Sequence, residues 1–428
     1  MIVILFISIA LFFIIGMPIA FAMGVGTLFA MIYSGEIPLV LIPQRMFTAL
    51  DSWLITAIPL FMLAGKLMSE GGMSKRIVDF ATELFGFIKG GLAIISVAAS
   101  MVFAGVSGSS TADTAAIGSI MLPAMKEKGY NMKFATALQA AAGSIGPVIP
   151  PSILMIIIGY TTNTSIAQLF LGGIVPGVMI GGGLMVVSYF HALKGGKAYL
   201  PTIKKFSLKR VFKAGVVALP GLGLPFIIIF GIVGGVFTAT EAAVIAVVYG
   251  FFVGIFIYKE MKIKDIPNIL LESVKIACIV MFVVTTAFLF AWIVTAKNLP
   301  LVLSNFMQAN VSSRVGFFIF LNILLIIVGM FMESFSAILV LVPLIFPIAQ
   351  SYGIDPVHFG VVVTVNFAIG YITPPYGATL FVSCSLTGKS IREVTPYIIP
   401  IALSMLVVLI IITYFPSTFM WIPNMIRR

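Results

Sequence analysis

Gly105-Val-Ser-Gly-Ser-Ser-Thr-Ala-Asp113 is followed, after an apolar run and a turn, by Gly143-Ser-Ile-Gly-Pro-Val-Ile-Pro-Pro151. A Pro-Pro pair preceded by Gly-Pro cannot continue an ordinary helix, because amide donors are missing and residues before proline avoid helical angles. Both stretches nevertheless lie in sequence apolar enough for lipid. Non-helical backbone at that depth is tolerated only where protein or a lined cavity satisfies it. The arrangement occurs twice. Adding 224 to Gly105, Ser110, Pro123, Gly129, Gly146 and Pro150-Pro151 gives Gly329, Ser334, Pro347, Gly353, Gly370 and Pro374-Pro375, with no gap. Glycine and proline hold backbone roles that other residues replace poorly. A shared set at one offset therefore predicts the same backbone shape built twice.

Each unit reads as a re-entrant helical hairpin followed by a broken transmembrane helix. In the first, arms over Gly91–Val106 and Ala112–Met125 flank the polar tip Ser107-Gly108-Ser109-Ser110-Thr111. A turn at 128–131 leads into a helix over Met132–Ala142, a break over Gly143–Pro151, and helix again after Ser152. In the second, arms over Val315–Met330 and Ala337–Ala349 flank the tip Phe331–Ser336, and the break covers Asn366–Pro375. Each arm is shorter than the roughly 20 residues of a full span.

The rest of the chain is equally suited to lipid. It is 61% hydrophobic and 9% charged, against about 25% charged in a soluble domain. Met1–Tyr33 carries no charge; too long and without the basic start of a cleavable leader, it reads as one retained helix that also targets the chain. The net charge of +11 sits in short loops between apolar runs, which is a membrane-orientation pattern rather than a nucleic-acid surface. Cys278 and Cys384 lie in apolar segments without partner spacing and read as inert thiols. His191 and His358 are isolated. No nucleotide-binding motif and no arrangement of catalytic residues is visible. The reading is an all-α polytopic membrane protein that is not an enzyme and has no cofactor and no transition metal.

Loop charge sets direction. Residues 124–134 carry Lys126, Lys128 and Lys133 against Glu127, whereas their image, 348–358, has no Lys or Arg and one acid, Asp355. The first turn is then cytoplasmic and the second external, making the units inverted repeats. His191–Lys213, with seven Lys or Arg, and the lysine-rich 258–275 read as cytoplasmic. Thr238-Ala-Thr-Glu241 reads as a capping box on the external side. Counting crossings puts the N-terminus inside and the C-terminus outside, although Arg427 and Arg428 oppose the latter. Segments 70–89 and 297–314 read as interfacial connecting helices, and Trp53, Trp292 and Trp421 as interface anchors. Lys66, Lys275 and Arg314 are placed to reach the interface by snorkelling. The expected layout is scaffold helices and an arm over 1–90, a transport domain from 91–165 and 315–390, further scaffold and arms over 166–314, and a C-terminal helix over 391–428.

Two tips facing two breaks bring opposed helix ends together. Free carbonyls there suit Na⁺, and free N–H groups at helix N-termini suit carboxylates. A first Na⁺ cradle is expected from Ser107, Ser109, Ser110, Asp113, Gly143, Ser144, Gly146, Val148 and Pro150, with Thr111 adding a hydroxyl. A second is expected from Glu333, Ser334, Ser336, Asn366, Gly370, Thr373 and Pro374. Hard cations prefer such oxygen ligands. The substrate is expected at Ser107, Gly108, Ser109, Ser144, Pro147 and Thr373. Asp113 and Glu333 are the acids nearest the tips, functional candidates because an unpaired charge in lipid is costly. Their structural alternatives are that Asp113 caps the second arm and Glu333 pairs with a neighbouring polar group. A passive channel and a non-transporting scaffold are the rival functions; two symmetric dead-end hairpins argue against a continuous pore.

The run Gly105–Pro123, the segment Gly146-Pro-Val-Ile-Pro-Pro151 and its counterpart Gly370-Tyr-Ile-Thr-Pro-Pro375 resemble the large membrane subunit of tripartite ATP-independent periplasmic (TRAP) transporters, and the resemblance covers essentially the whole chain. It implies an elevator-type carrier in the bacterial inner membrane that imports an organic acid with Na⁺. It further implies a separate small four-helix membrane subunit and a periplasmic substrate-binding protein as partners. The overall run is more similar to sialic-acid members than to C4-dicarboxylate members.

Overall fold

A computed structural model describes residues 1–194, 196–203, 206–311 and 313–426. Lys204 and Lys205 of the basic loop and the terminal Arg427 and Arg428, which entered the reading of orientation, lie outside the described residues. The described chain is helical, and eight of its helices are long and apolar enough to cross a membrane.

The uncharged start is two helices, α1 (Ile2–Ile14) and α2 (Ile19–Ser34), and not one. Gly16 adopts φ +92° between them and Pro18, which has no amide to donate, is the N-cap of α2. They run antiparallel: Ser8 Oγ donates to the Gly26 carbonyl at 3.1 Å. Met1 and Tyr33 therefore lie at the same end of the molecule, which overturns the single helix read over residues 1–33.

A short helix that the sequence reading missed, α3 (Leu41–Leu50), precedes α4 (Trp53–Glu70) and the first connecting arm, α5 (Met73–Phe85). The first hairpin is α6 (Gly91–Ser107) and α7 (Ser110–Glu127), followed by α8 (Met132–Gly143), α9 (Ile153–Thr162) and α10 (Ile166–Lys194). Next come α11 (Leu208–Val233), α12 (Ala239–Phe252), α13 (Ile266–Ala296) and the second arm, α14 (Leu299–Asn310). The Thr238–Glu241 capping box is formed. The second hairpin is α15 (Arg314–Phe331) and α16 (Ser334–Ser351), followed by α17 (Pro356–Gly370) and α18 (Ala378–Thr387). The C-terminal segment is two helices rather than one, α19 (Ile391–Tyr414) and α20 (Ser417–Asn424).

Caps recur at the shared offset. Asn131 Oδ1 accepts from Lys133 N and Phe134 N at the start of α8; Asp355 Oδ1, 224 residues later, accepts from Val357 N and His358 N at the start of α17. The hairpin arms have 17 or 18 residues, about 27 Å of helix, just under the ~30 Å hydrocarbon core.

Two long helices are seated on these units. α10 meets the first break through glycines: a Cβ on Gly173 would lie 2.2 Å from the Val148 carbonyl, one on Gly177 2.4 Å from Ile149, and one on Gly181 2.1 Å from the Met101 sulfur. α19 is held to α8 by an Asn131 Nδ2 donation to the Tyr397 hydroxyl at 3.0 Å and by a Lys133–Glu393 pair at 3.3 Å. On the other side, α2 lies along α13: Phe21 is 4.9 Å from Phe282 between ring centroids, and Glu36 pairs with Lys297. The hydrogen bond from Lys297 holds the Glu36 carboxyl below its ordinary range. Two cations read as snorkelling have protein partners instead. Lys66 pairs with Glu70 and Glu272 at 3.0 and 2.9 Å, and Arg314 Nη2 lies 3.1 Å from His358 Nδ1.

Candidate functional site

Capping decides where the first tip stops. α6 ends on Gly108 at φ +61°, a left-handed terminus that glycine adopts without Cβ strain. A Cβ on Gly108 would also lie 2.4 Å from the Pro151 carbonyl, so the tip rests directly on the break. Ser109 opens α7, its Oγ accepting from Ala112 N at 3.5 Å. Ser107 Oγ accepts from Ser109 N at 3.1 Å and donates to the Asp113 carboxylate. Asp113 is fully buried. Its Oδ2 and Ser110 Oγ have no hydrogen-bond partner. Gly146 faces both residues: a Cβ there would be 2.5 Å from Asp113 Oδ2 and 3.1 Å from Ser110 N. Two uncommitted buried oxygens thus sit where tip and break touch. Leaving a buried polar atom unpaired costs about 1–3 kcal/mol, and more for a charged group. This oxygen set fits a hard monovalent cation as its missing partner.

The second tip is built differently. Glu333 is the N-cap of α16, its Oε2 accepting from Phe335 N at 2.9 Å and Ser336 N at 3.3 Å. The structural role foreseen for Glu333 holds, since it is hydrogen-bonded by Tyr371, but Glu333 also takes the capping role foreseen for Asp113, which is held by a neighbouring hydroxyl. The break also starts later than expected. Asn366 to Gly370 stay helical in α17, and the interruption covers 371–377. Asn366 Nδ2 donates to Asn322 Oδ1 at 2.9 Å and to the Val362 carbonyl at 2.8 Å, while its Oδ1 has no partner. Gly370 lies against Gly329, where an added Cβ would be 2.9 Å from Cα. Thr373 Oγ1 donates to the Ile369 carbonyl at 2.7 Å, and Tyr376 N to the Met330 carbonyl at 3.2 Å. The peptide bonds Pro150-Pro151 and Pro374-Pro375 are both cis.

Tips and breaks open on one cavity of about 620 Å³. Gly108 to Thr111 and Pro147 line it from the first unit, and Glu333, Ser336, Tyr371 and Tyr376 from the second. Of the residues expected at the substrate, Gly108, Ser109 and Pro147 line this cavity; Ser107, Ser144 and Thr373 are not among its lining. Ser144 Oγ instead donates to the Ala141 carbonyl at 2.9 Å. Tyr371 was not foreseen, although it is the image of Pro147 at the 224 offset. The contribution of Pro18 to Phe21 was hidden by reading residues 1–33 as one helix. Among the described residues, Glu333 is the lone ionisable carboxylate on the cavity wall, and no Lys, Arg or His lines it.

The fold is that of multi-pass membrane transporters. It aligns with the YdaH transporter of Alcanivorax borkumensis at a TM-score of 0.56, with 14% identity over 88% of this chain and 90% of that one. MtrF of Neisseria gonorrhoeae aligns at 0.58, with 11% identity over 87% and 84%. The family model described as "Tripartite ATP-independent periplasmic transporter, DctM component" matches residues 6–418. The chain is 36% identical to the C4-dicarboxylate TRAP transporter large permease protein DctM of Rhodobacter capsulatus, over 96% of each chain. It is 35% identical to the sialic acid TRAP transporter large permease protein SiaM of Vibrio cholerae, over 96% of this chain and 95% of that one. It is 38% identical to the isethionate TRAP transporter permease protein DctMQ of Oleidesulfovibrio alaskensis, covering 95% of this chain and 64% of that longer protein. The chain belongs to the DctM family of TRAP transporter components: a multi-pass inner-membrane permease subunit and not an enzyme.

Proposed function

We propose that this chain is the large membrane subunit of a sodium-coupled importer of organic acids that works as an elevator. The carrying observation is the pair Ser110 Oγ and Asp113 Oδ2, buried without partners beside a cavity bounded by both tips. Ser107, Ser109, Ser110 and Asp113, with backbone from the 143–150 break, would hold one Na⁺. Ser334, Ser336, Asn366, Gly370, Thr373 and Pro374 would supply the second cradle. Two cations compensate the charge of an anion and add inward driving force from the membrane potential.

The moving unit comprises the two hairpins and broken helices together with α10 and α19. Three α10 glycines seat on the first unit, at the Val148 carbonyl and the Ile149 and Met101 side chains, and α19 is tied to α8, which supports grouping both helices with it. The helices α1 to α4 and α11 to α13 form the fixed scaffold, with α5 and α14 as connecting arms. The substrate is an organic acid in the range named for the relatives, from C4-dicarboxylates to sialic acid; overall identity to the two kinds of relative, 36% and 35%, does not favour sialic acid as the sequence reading had it. A separate small membrane subunit and a periplasmic binding protein complete the transporter, in keeping with the tripartite family and its fused DctMQ relative.

The test is uptake in proteoliposomes holding both membrane subunits, with the binding protein supplied outside. Replacing Na⁺ with K⁺ should abolish uptake, and Ser110→Ala should raise the Na⁺ concentration for half-maximal rate. Unchanged transport in K⁺ removes the coupling; an unchanged Na⁺ response in both Ser110→Ala and Ser334→Ala removes the tip assignment.

A further inference from the structure

We propose that the turn into α2, Pro18 to Phe21, is the size filter of the acid-binding cavity, with Phe21 setting the limit. This rests on reading the cavity as the organic-acid site. The cavity has two unlike walls. The wall from the hairpins and breaks carries hydroxyls and a carboxylate, among them Ser109, Thr111, Glu333 and Tyr376. The facing wall is Pro18 to Phe21 with Ile279, Phe282 and neighbouring α13 residues, and it contributes no polar side chain. A wall of that kind cannot distinguish hydroxyl from carboxylate patterns. It discriminates by bulk, and one methylene more or less against an apolar surface changes selection by about 10–200-fold.

A filter must also be stiff. Phe21 is backed by Phe282 at 4.9 Å. Three residues on, α2 approaches α13 closely enough that a Cβ on Gly24 would be 3.2 Å from Thr286 Cγ2. On its other face, a Cβ on Gly26 would fall 2.6 Å from the Ile9 side chain of α1. The Glu36–Lys297 pair fixes the far end of α2. The turn therefore cannot retreat without parting α2 from both neighbours. Phe21 is 52% exposed and is the largest side chain that the turn presents.

The experiment measures direct binding to the full chain, purified with its co-expressed small subunit. That avoids the selectivity of a binding protein. Thermal stabilisation at saturating Na⁺ is titrated with three probes of rising size: succinate, gluconate and N-acetylneuraminate. Phe21→Ala should tighten the bulkiest acid relative to the smallest by about tenfold, and Phe21→Trp should shift the ratio the other way. A Phe21→Cys variant in a Cys278→Ser background should react with a small maleimide more slowly once the preferred acid is bound. Folded Phe21→Ala and Phe21→Trp variants with the parental size order overturn the filter and leave the organic-acid reading standing. So does maleimide labelling that the acid does not slow. If the parent chain binds none of the three acids with Na⁺ present, the organic-acid reading falls and takes the filter with it.

Discussion

At the first hairpin tip the carboxylate, Asp113, stands inside the first turn of α7, is held by Ser107, and leaves the capping to Ser109. At the second tip the carboxylate, Glu333, occupies the position equivalent to Ser109 and is itself the cap; the position equivalent to Asp113 is Ala337. Negative charge at a helix N-terminus is favourable in both places. The use made of it differs. Glu333 directs an oxygen to two backbone amides, whereas Asp113 keeps one buried oxygen uncommitted. Matching positions of caps and prolines therefore do not make the two tips chemically equal. The backbone plan recurs, but the carboxylate is displaced by four positions and keeps an oxygen uncommitted at the first tip, so on the proposed function a cation is expected there first.

That contrast can be broken by experiment. The largest effect is expected at Asp113. Asp113→Asn keeps an acceptor for Ser107 but removes the charge, so the Na⁺ concentration for half-maximal uptake should rise at least about tenfold, or ~1.4 kcal/mol. Glu333→Gln should shift it less, because an amide oxygen still caps α16. Equal shifts in the two variants would show that the tips are equivalent after all. Next in size is Asn366→Ala, which removes the buried amide that donates to the half-buried Asn322 oxygen and to the Val362 carbonyl. Its cost should be about 1–3 kcal/mol in thermal unfolding of the purified chain. The equivalent position in the first unit is Ala142, already apolar, so a variant as stable as its parent would erase this second difference between the units. The smallest effects belong to the caps. Ser109→Ala and Glu333→Ala should each cost about 1 kcal/mol, read as faster hydrogen exchange at the capped Ala112 and at the capped Phe335 and Ser336 amides. Glu333, which accepts from two amides where Ser109 accepts from one, should lose more; a larger loss at Ser109 would reverse the assignment of roles.

Most of the helical plan was legible because proline and glycine act locally. Both hairpins, the arms, the Thr238 capping box and the first break lie within a few residues of where the sequence puts them. The misses also have local causes. Gly16 and Pro18 punctuate the N-terminal run, but an unbroken lack of charge outweighed them in the reading. Asn366 to Gly370 were placed in the break because Gly370 matches Gly146; without a proline before Pro374, nothing stops α17 from continuing to Gly370. That Glu333, and not Asp113, caps its helix was not legible. Which side chain turns back to the helix start depends on a displacement of a few residues that spacing alone does not resolve. The scaffold side of the cavity was hidden for a different reason, since it depends on which distant helix lies beside the tips.

The glycines of α10 carry one more consequence. Gly181 is filled against Met101, yet at Gly182, the next residue, an added methyl would meet nothing within 4 Å. One helix thus serves as a mould on one side and presents open space at the next residue, and adjacent glycines differ in whether they can be replaced. Stiffening this helix by methyl substitution is open on the outer side alone; on the inner side the missing side chains are the shape of the part.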